Sequence, residues 1–287
     1  MRQDLNSVVL VCPDNDAESR LILIMAFKLG MKVIRSGQGH GAKLEKERGG
    51  IIPLIQAVGG RQVWIVEMPG QDVERQLLDL RMEVIIIDHH AYGRLDRSRD
   101  SRGSKRPSSL SQFMKLLHID RDAITRMGLD PVIVQGVSIM DARFVQGLRE
   151  EGFSLEERRR VMAFIREYSM AGNPFFERAE IAAKDAWEKR VQWNDYIVVR
   201  STAEVGIRGA VSAITIQEDC DTHPFILDDA GRGELFVQNV RPSVVERLMS
   251  AFENDCPFTF GTGNCWGVNN RDNGTHVTLQ SIMEVLA

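Results

Sequence analysis

None of the four cysteines, Cys12, Cys220, Cys256 and Cys265, forms a C-x-x-C pair, which argues against a zinc ribbon and a disulfide framework and for a reducing cytoplasm. No apolar run approaches the roughly 20 residues a membrane helix needs, so no bilayer partner is expected. The opening MRQDLNSVVLVCPDNDAE lacks a basic stretch leading into an apolar one, so no signal peptide is expected either. Strong charge of one sign is missing too. A net charge of −4 over 287 residues rules out generic binding to nucleic acid by bulk charge, though not a local basic patch. What remains is ordinary for a folded chain: 43% hydrophobic and 26% charged residues, enough for one large domain or two average ones.

Short apolar runs alternate with amphipathic ones through the first 150 residues. Val8–Val11, Lys32–Arg35, Gln62–Glu67 and Glu83–Ile87 read as strands, with helices over Ala17–Leu29 and Asp72–Leu80. Near-continuous β-branched runs such as VIII indicate strands covered on both faces. The expected fold is therefore α/β, a parallel sheet with helices on both faces. Helical patterning continues from Ser109 to about Met127, and Ser154-Leu155-Glu156-Glu157 reads as a capping box. Beyond a charged helical stretch, Tyr196–Arg200, Ala210–Ile216 and Glu234–Gln238 read as strands and Ser243–Phe252 as a helix, a smaller α+β domain. The expected division is 1–155, a helical linker over 156–190, and 191–287.

Ligands of open parallel sheets sit at the carboxyl ends of the strands. The first strand ends in CPDNDAES, placing Asp14 and Asp16 in a turn. The third ends in Glu67, and the fourth in Asp88-His89-His90. Each aspartate alone suits a turn or helix cap. Taken together with Asp141 in VQGVSIMDARF, they offer carboxylate and imidazole donors of the kind that hold manganese, iron, cobalt or zinc. Successive residues of an extended chain point opposite ways, so His89 and His90 are expected to differ in role. By contrast, Ser36-Gly37-Gln38-Gly39-His40-Gly41 lacks the G-x-G-x-x-G spacing of a dinucleotide-binding loop and reads as a flexible loop from which His40 or Lys43 could reach the site.

IIIDHH, with PDNDAES upstream and Asp141 downstream, resembles the DHH phosphoesterase superfamily, which includes RecJ-type exonucleases, nanoRNases, manganese pyrophosphatases and cyclic-dinucleotide phosphodiesterases. The helix start SSLSQFMKLL resembles the segment that follows DHH in that family. The resemblance implies a metal-dependent hydrolase acting on a small phosphate ester, a short oligonucleotide or nucleotide, through two divalent ions, manganese foremost and cobalt or magnesium as substitutes. By position, Asp14, Asp16, Glu67, His89 and Asp141 match metal ligands, and His90 matches the substrate-facing catalytic histidine. Three positions depart from the pattern. Leu10 stands where many relatives carry histidine, Cys12 where exonuclease-type relatives carry aspartate, and Glu67 where aspartate is usual. A catalytically silent homologue that binds nucleic acid or a partner therefore stays open, as does pairing into a homodimer.

Two further segments bear on the substrate. Gly93–Ser109 holds six basic and two acidic residues and almost nothing apolar, so it is expected to be a mobile surface loop, with residues 94–106 a candidate arm for polyanions. Phe260-Gly261-Thr262-Gly263-Asn264-Cys265-Trp266-Gly267 reads first as a glycine-rich turn. The resemblance sets it in the place of a substrate-binding glycine motif, with Gly261 and Gly263 supplying backbone donors, Asn264 hydrogen-bonding the substrate and Trp266 offering a stacking face.

Overall fold

In the computed structural model, which describes residues 4–39, 41–92, 95–170 and 174–287, the chain divides into two compact units, Met1–Ala142 and Arg143–Ala287. His40, Gly93 and Arg94 lie outside the described residues. The first unit is built on β1 (Val8–Pro13), β2 (Lys32–Ser36), β3 (Gln62–Val66) and β4 (Glu83–Ile87), all parallel, in the order β2-β1-β3-β4. Side chains alternate across β1. Val9 and Val11 pack with Val63 and Ile65 against Ile51 and Ile55 of α2 (Ile51–Val58) and Val73 and Leu77 of α3 (Gln71–Asp79). On β3, Trp64 meets Phe113 of α4 (Ser109–Leu116) edge to face at 6.1 Å, and α4 packs beside α1 (Ala17–Lys28). The α/β parallel-sheet fold with helices on both faces is thus what the structure shows. Helix α2 had no counterpart in the sequence reading; IIPLIQAV is apolar nearly throughout, and only the fold shows that Ile51 and Ile55, one turn apart, form its buried side.

After β4 a two-stranded ribbon, β5 (Ala91–Tyr92) with β6 (Leu95–Asp96), leads into the basic segment. The described part of that segment is not a free arm. Asp96 accepts the Ser98 amide, Asp100 accepts those of Arg102 and Ser104, Arg99 bridges to Lys105, and Arg97 is buried. Composition missed this because aspartate side chains close turns locally without any apolar core. Helices α5 (Arg121–Arg126) and α6 (Pro131–Glu150) follow, α6 breaking at Phe144, whose φ of 59° is non-helical.

The second unit contains α7 (Leu155–Ile165), opened by the Ser154–Glu157 capping box, and α8 (Pro174–Glu188). Its six-stranded mixed sheet comprises β7 (Val191–Trp193), β8 (Tyr196–Ser201), β9 (Phe225–Asp229), β10 (Glu234–Gln238), β11 (Phe258–Phe260) and β12 (Cys265–Asn269), in the order β11-β12-β10-β9-β8-β7. Between β8 and β9 lies α9 (Arg208–Gln217), where the sequence reading placed a strand over Ala210–Ile216. AVSAITI is β-branched, but Val211, Ser212, Thr215 and Ile216 are buried at helical spacing, and that face packing overrides the propensity. Helices α10 (Pro242–Ala251), α11 (Asn270–Asn273) and α12 (Leu279–Leu286) complete the unit. No helix among the described residues is long and apolar enough to cross a membrane.

Candidate metal centre

The chain runs from β1 outward to β2, then returns past β1 to β3. The order therefore reverses between β1 and β3, which is where a parallel sheet opens a crevice beyond its carboxyl ends. Glu67 stands just past β3 with φ at 47°, a left-handed conformation costing a non-glycine residue about 1–3 kcal/mol. Its amide still donates to the Ile87 carbonyl at 3.1 Å, so the pairing of β3 with β4 holds the strained residue in place.

His89 and His90 leave β4 together. His89 is buried, and its Nε2 lies 2.6 Å from Asp141 Oδ2, 3.4 Å from Glu67 Oε1 and 3.9 Å from Glu18 Oε2. One donor atom each from Glu18, Glu67, His89 and Asp141 falls within 4.8 Å of the others, and Glu67, His89 and His90 form a second, overlapping group. Glu18, in the first turn of α1, is 2% exposed. Its Oε1 accepts the Leu110 amide at 2.8 Å, in the first turn of α4, which leaves Oε2 turned to the cluster. Asp141 sits one turn beyond Ser138, whose hydroxyl lies 2.7 Å from Ser108 and 2.6 Å from Ser111. The serine-rich start of α4 thereby anchors α6 and Asp141 with it.

Glu18 Oε2, Glu67 Oε1 and His89 Nε2 are all buried without a hydrogen bond; even the close approach of His89 to Asp141 lacks hydrogen-bond alignment. Buried charges need compensation, and three carboxylates that converge with only the imidazoles of His89 and His90 for a partner could hold a cation. Three carboxylates and an imidazole, with no sulfur, form a donor set that fits a hard to borderline divalent ion. Burial opposes the charged form of His89, yet the carboxylates of Asp141 and Glu67 outweigh it and raise its pKa to about 10. Burial, with the charges of Asp141 and Glu67, pushes the Glu18 carboxyl well up. In a cation's absence the proton on His89 supplies the positive charge.

His90 serves differently. Its Nδ1 lies 3.2 Å from Asp88 Oδ1, which also accepts the His90 amide at 3.0 Å and the Tyr92 hydroxyl at 3.2 Å. Asp88 is fully buried, and Arg97 Nη1 lies 3.5 Å from its Oδ2 while Nη2 of the same arginine bonds Glu74. The hydrogen bond to Asp88, opposed by burial, raises the His90 pKa.

Not every residue singled out in the sequence joins this group. Asp14 pairs instead with Arg20 Nε at 2.8 Å and with Arg35. Asp16 caps α1, its Oδ1 accepting the Ser19 amide at 2.7 Å. Leu10 is fully buried in β1. The Cys12 thiol donates to the Pro13 carbonyl at 3.3 Å, and burial, helped by nearby carboxylates, pushes its pKa well above the ordinary value, so it stays protonated. Glu18 was missed, since a glutamate in a helix's first turn reads as a favourable dipole contact.

In the second unit, Gly261 and Gly263 have φ of 64° and 87° in the turn between β11 and β12, and the Asn264 carbonyl accepts the Val240 amide. A Cβ on Gly263 would meet open space. Trp266 is fully buried against Phe252 and offers no stacking face, and Gly267 is glycine because Phe236 and Phe258 lie 2.8 Å from where its Cβ would be. The sequence reading passed over Arg208 at the start of α9. Its guanidinium sits over Phe236, Phe260 and Phe144 at 4.9, 4.8 and 5.7 Å, and no carboxylate pairs with it among the described residues. It lines a cavity of about 300 Å³ with Gly206, Gly209, Glu234, Phe258 and Asn269.

No family profile and no curated protein matches the chain. Solved structures do, at low identity. An exonuclease RecJ bound to manganese is 15% identical over 97% of this chain and 88% of that one, with a TM-score of 0.41. RecJ in complex with Mg2+ from Thermus thermophilus is 14% identical over 97% of this chain and 48% of that one, with a TM-score of 0.43. The pGpG-specific phosphodiesterase PggH from Vibrio cholerae is 10% identical over 97% and 99%, with a TM-score of 0.41. These likenesses concern the fold alone, and with TM-scores this low they say nothing of metal or substrate.

Proposed function

We propose that the chain is a metal-dependent phosphoesterase of DHH type that hydrolyses a small phosphate ester, a short oligonucleotide or nucleotide. The observation that carries this reading is the convergence of Glu18, Glu67, His89 and Asp141, with no arginine or lysine pairing these three carboxylates among the described residues. These four residues would hold a divalent ion, which supplies Lewis acidity toward a phosphoryl oxygen when bound. Manganese, cobalt or magnesium suits the donors.

The remaining chemistry belongs to the chain. With Nδ1 committed to Asp88, His90 keeps Nε2 for the substrate, and its raised pKa suits it to donate a proton or a hydrogen bond to a phosphate oxygen. Burial and the Asp88 charge push the Tyr92 hydroxyl well up, so it remains a donor that fixes Asp88 and, through it, His90. Within the second unit by itself, Gly261, Gly263 and Asn264 are one candidate anchor for a phosphate group and Arg208 is another. Aromatic rings cover the faces of the Arg208 guanidinium, and its in-plane N–H donors suit a phosphate.

The test is hydrolysis of short RNA, short DNA, pyrophosphate and cyclic dinucleotides by metal-stripped protein reloaded with manganese, magnesium or cobalt, beside His89→Ala. Metal-dependent turnover lost in His89→Ala supports the reading. Retention of full turnover by His89→Ala would remove it. Binding of nucleic acid without turnover in any metal would favour the silent homologue, the reading to which Leu10 lends weight.

A further inference from the structure

The reading above leaves open how many ions the site holds. Two ions roughly 3.5–4 Å apart need two sets of donors, joined by bridging carboxylates. Among the described residues the structure gathers one four-residue set. Glu18, Glu67, His89 and Asp141 lie within 4.8 Å of one another, the dimensions of a single coordination sphere, and the group containing His90 reuses Glu67 and His89.

Of the donors that a second ion would draw from the end of β1, the Asp14 carboxylate is already engaged on both oxygens. Asp14 is 3% exposed in its side chain, and each of its oxygens faces a guanidinium, Oδ1 that of Arg20 and Oδ2 that of Arg35. Its amide donates to the Ser36 carbonyl at 3.1 Å, which ties the carboxylate's backbone to β2, the strand that carries Arg35. Asp16 spends an oxygen on the cap of α1. Leu10 has no donor atom, and Cys12 directs its S–H at backbone carbonyls. Two positive charges are therefore built into the chain at the strand end beside the cluster.

We propose that this chain binds one divalent ion, held by Glu18, Glu67, His89 and Asp141, and that Arg20 and Arg35 neutralise Asp14 where a second cation would otherwise be required. This rests on the proposed function only in taking the cluster to be a metal site. Arg35 keeps 56% of its side chain exposed, so it still presents donors to a phosphate group near the ion.

The experiment counts ions. Metal-stripped protein is titrated with Mn2+ by calorimetry, and the ion content after desalting is measured by elemental analysis. One ion per wild-type chain is expected. Glu18→Gln should weaken Mn2+ binding by at least about tenfold. Asp14→Asn, checked for folding by circular dichroism, should keep the count at one with affinity changed by less than about threefold. Two ions per wild-type chain, which needs no variant to observe, would overturn the inference and leave the proposed function standing. Loss of an ion in folded Asp14→Asn would do the same. No bound ion at all would overturn both.

Discussion

Neighbouring strand ends in the first unit carry the same kinds of side chain and use them in opposite ways. At the end of β1, Asp14 is closed by Arg20 and Arg35, and one oxygen of Asp16 is taken by the Ser19 amide. At the ends of β3 and β4, Glu67 and His89 converge with Glu18 and Asp141, and no arginine or lysine pairs with these three carboxylates among the described residues. An acid at a strand end is thus not a ligand by virtue of its position. Whether the fold supplies it with a partner decides, because a buried charge must be compensated by something and a paired one already is. Asp88 illustrates the paired state beside the cluster: buried, it accepts from His90 and Tyr92 on Oδ1 and faces Arg97 at 3.5 Å on Oδ2.

The comparison breaks most readily at its unsatisfied side. His89→Ala removes the nitrogen around which the carboxylates gather, so Mn2+ affinity should fall by more than about 100-fold, beyond what supporting residues contribute. Calorimetry on the stripped protein measures this, and affinity within tenfold of wild type would mean the cluster is no metal site. On the satisfied side, Arg97→Met leaves buried Asp88 and Glu74 short of their cation. Urea unfolding should show a loss of about 3 kcal/mol, and an unchanged midpoint would show that Asp88 depends on His90 and Tyr92 alone.

A gentler probe is pH. His89 has its folded pKa raised, so in stripped protein its contribution to stability is complete below the ordinary value of 6.5 and is lost as pH rises through about 10. Melting temperature without metal should therefore decline between those values, and saturating Mn2+ should flatten the decline because the ion replaces the proton. A decline of equal steepness with and without Mn2+ would separate the proton from the metal site. The smallest effect is expected of Asp16→Asn. Asparagine caps a helix about as well as aspartate, so stability should shift by only a few tenths of a kcal/mol and Mn2+ affinity should hardly change. A large loss of affinity would instead place Asp16 among the ligands.

Much of the candidate site was legible because strand-end chemistry is local. The β-branched run VIII followed by Asp88-His89-His90 locates a β-strand and its candidate site end within one short segment, although β4 is an edge strand and only Ile87 of the run is buried, and Glu67 follows from the same logic on β3. Glu18 was not legible. Its carboxylate reaches the cluster only because α4, far along the chain, presents the Leu110 amide to its other oxygen. Arg208 was hidden by the mistaken strand over Ala210–Ile216, since its setting depends on aromatic side chains contributed by β10, β11 and α6.

Periodicity and residue type alone determined that this chain makes a parallel α/β sheet with histidine and carboxylates at its carboxyl edge. Strand alternation, β-branching and the order of the segments are properties of neighbouring residues. Tertiary structure decided which of those acids remain available. Arg35 reaches Asp14 because β2 pairs with β1 in a register that sets Arg35 opposite Cys12, and Asp141 reaches His89 because Ser138 is bonded to the start of α4. Pairing of charges acts over a few ångströms between residues far apart in sequence, and only the folded chain sets those distances.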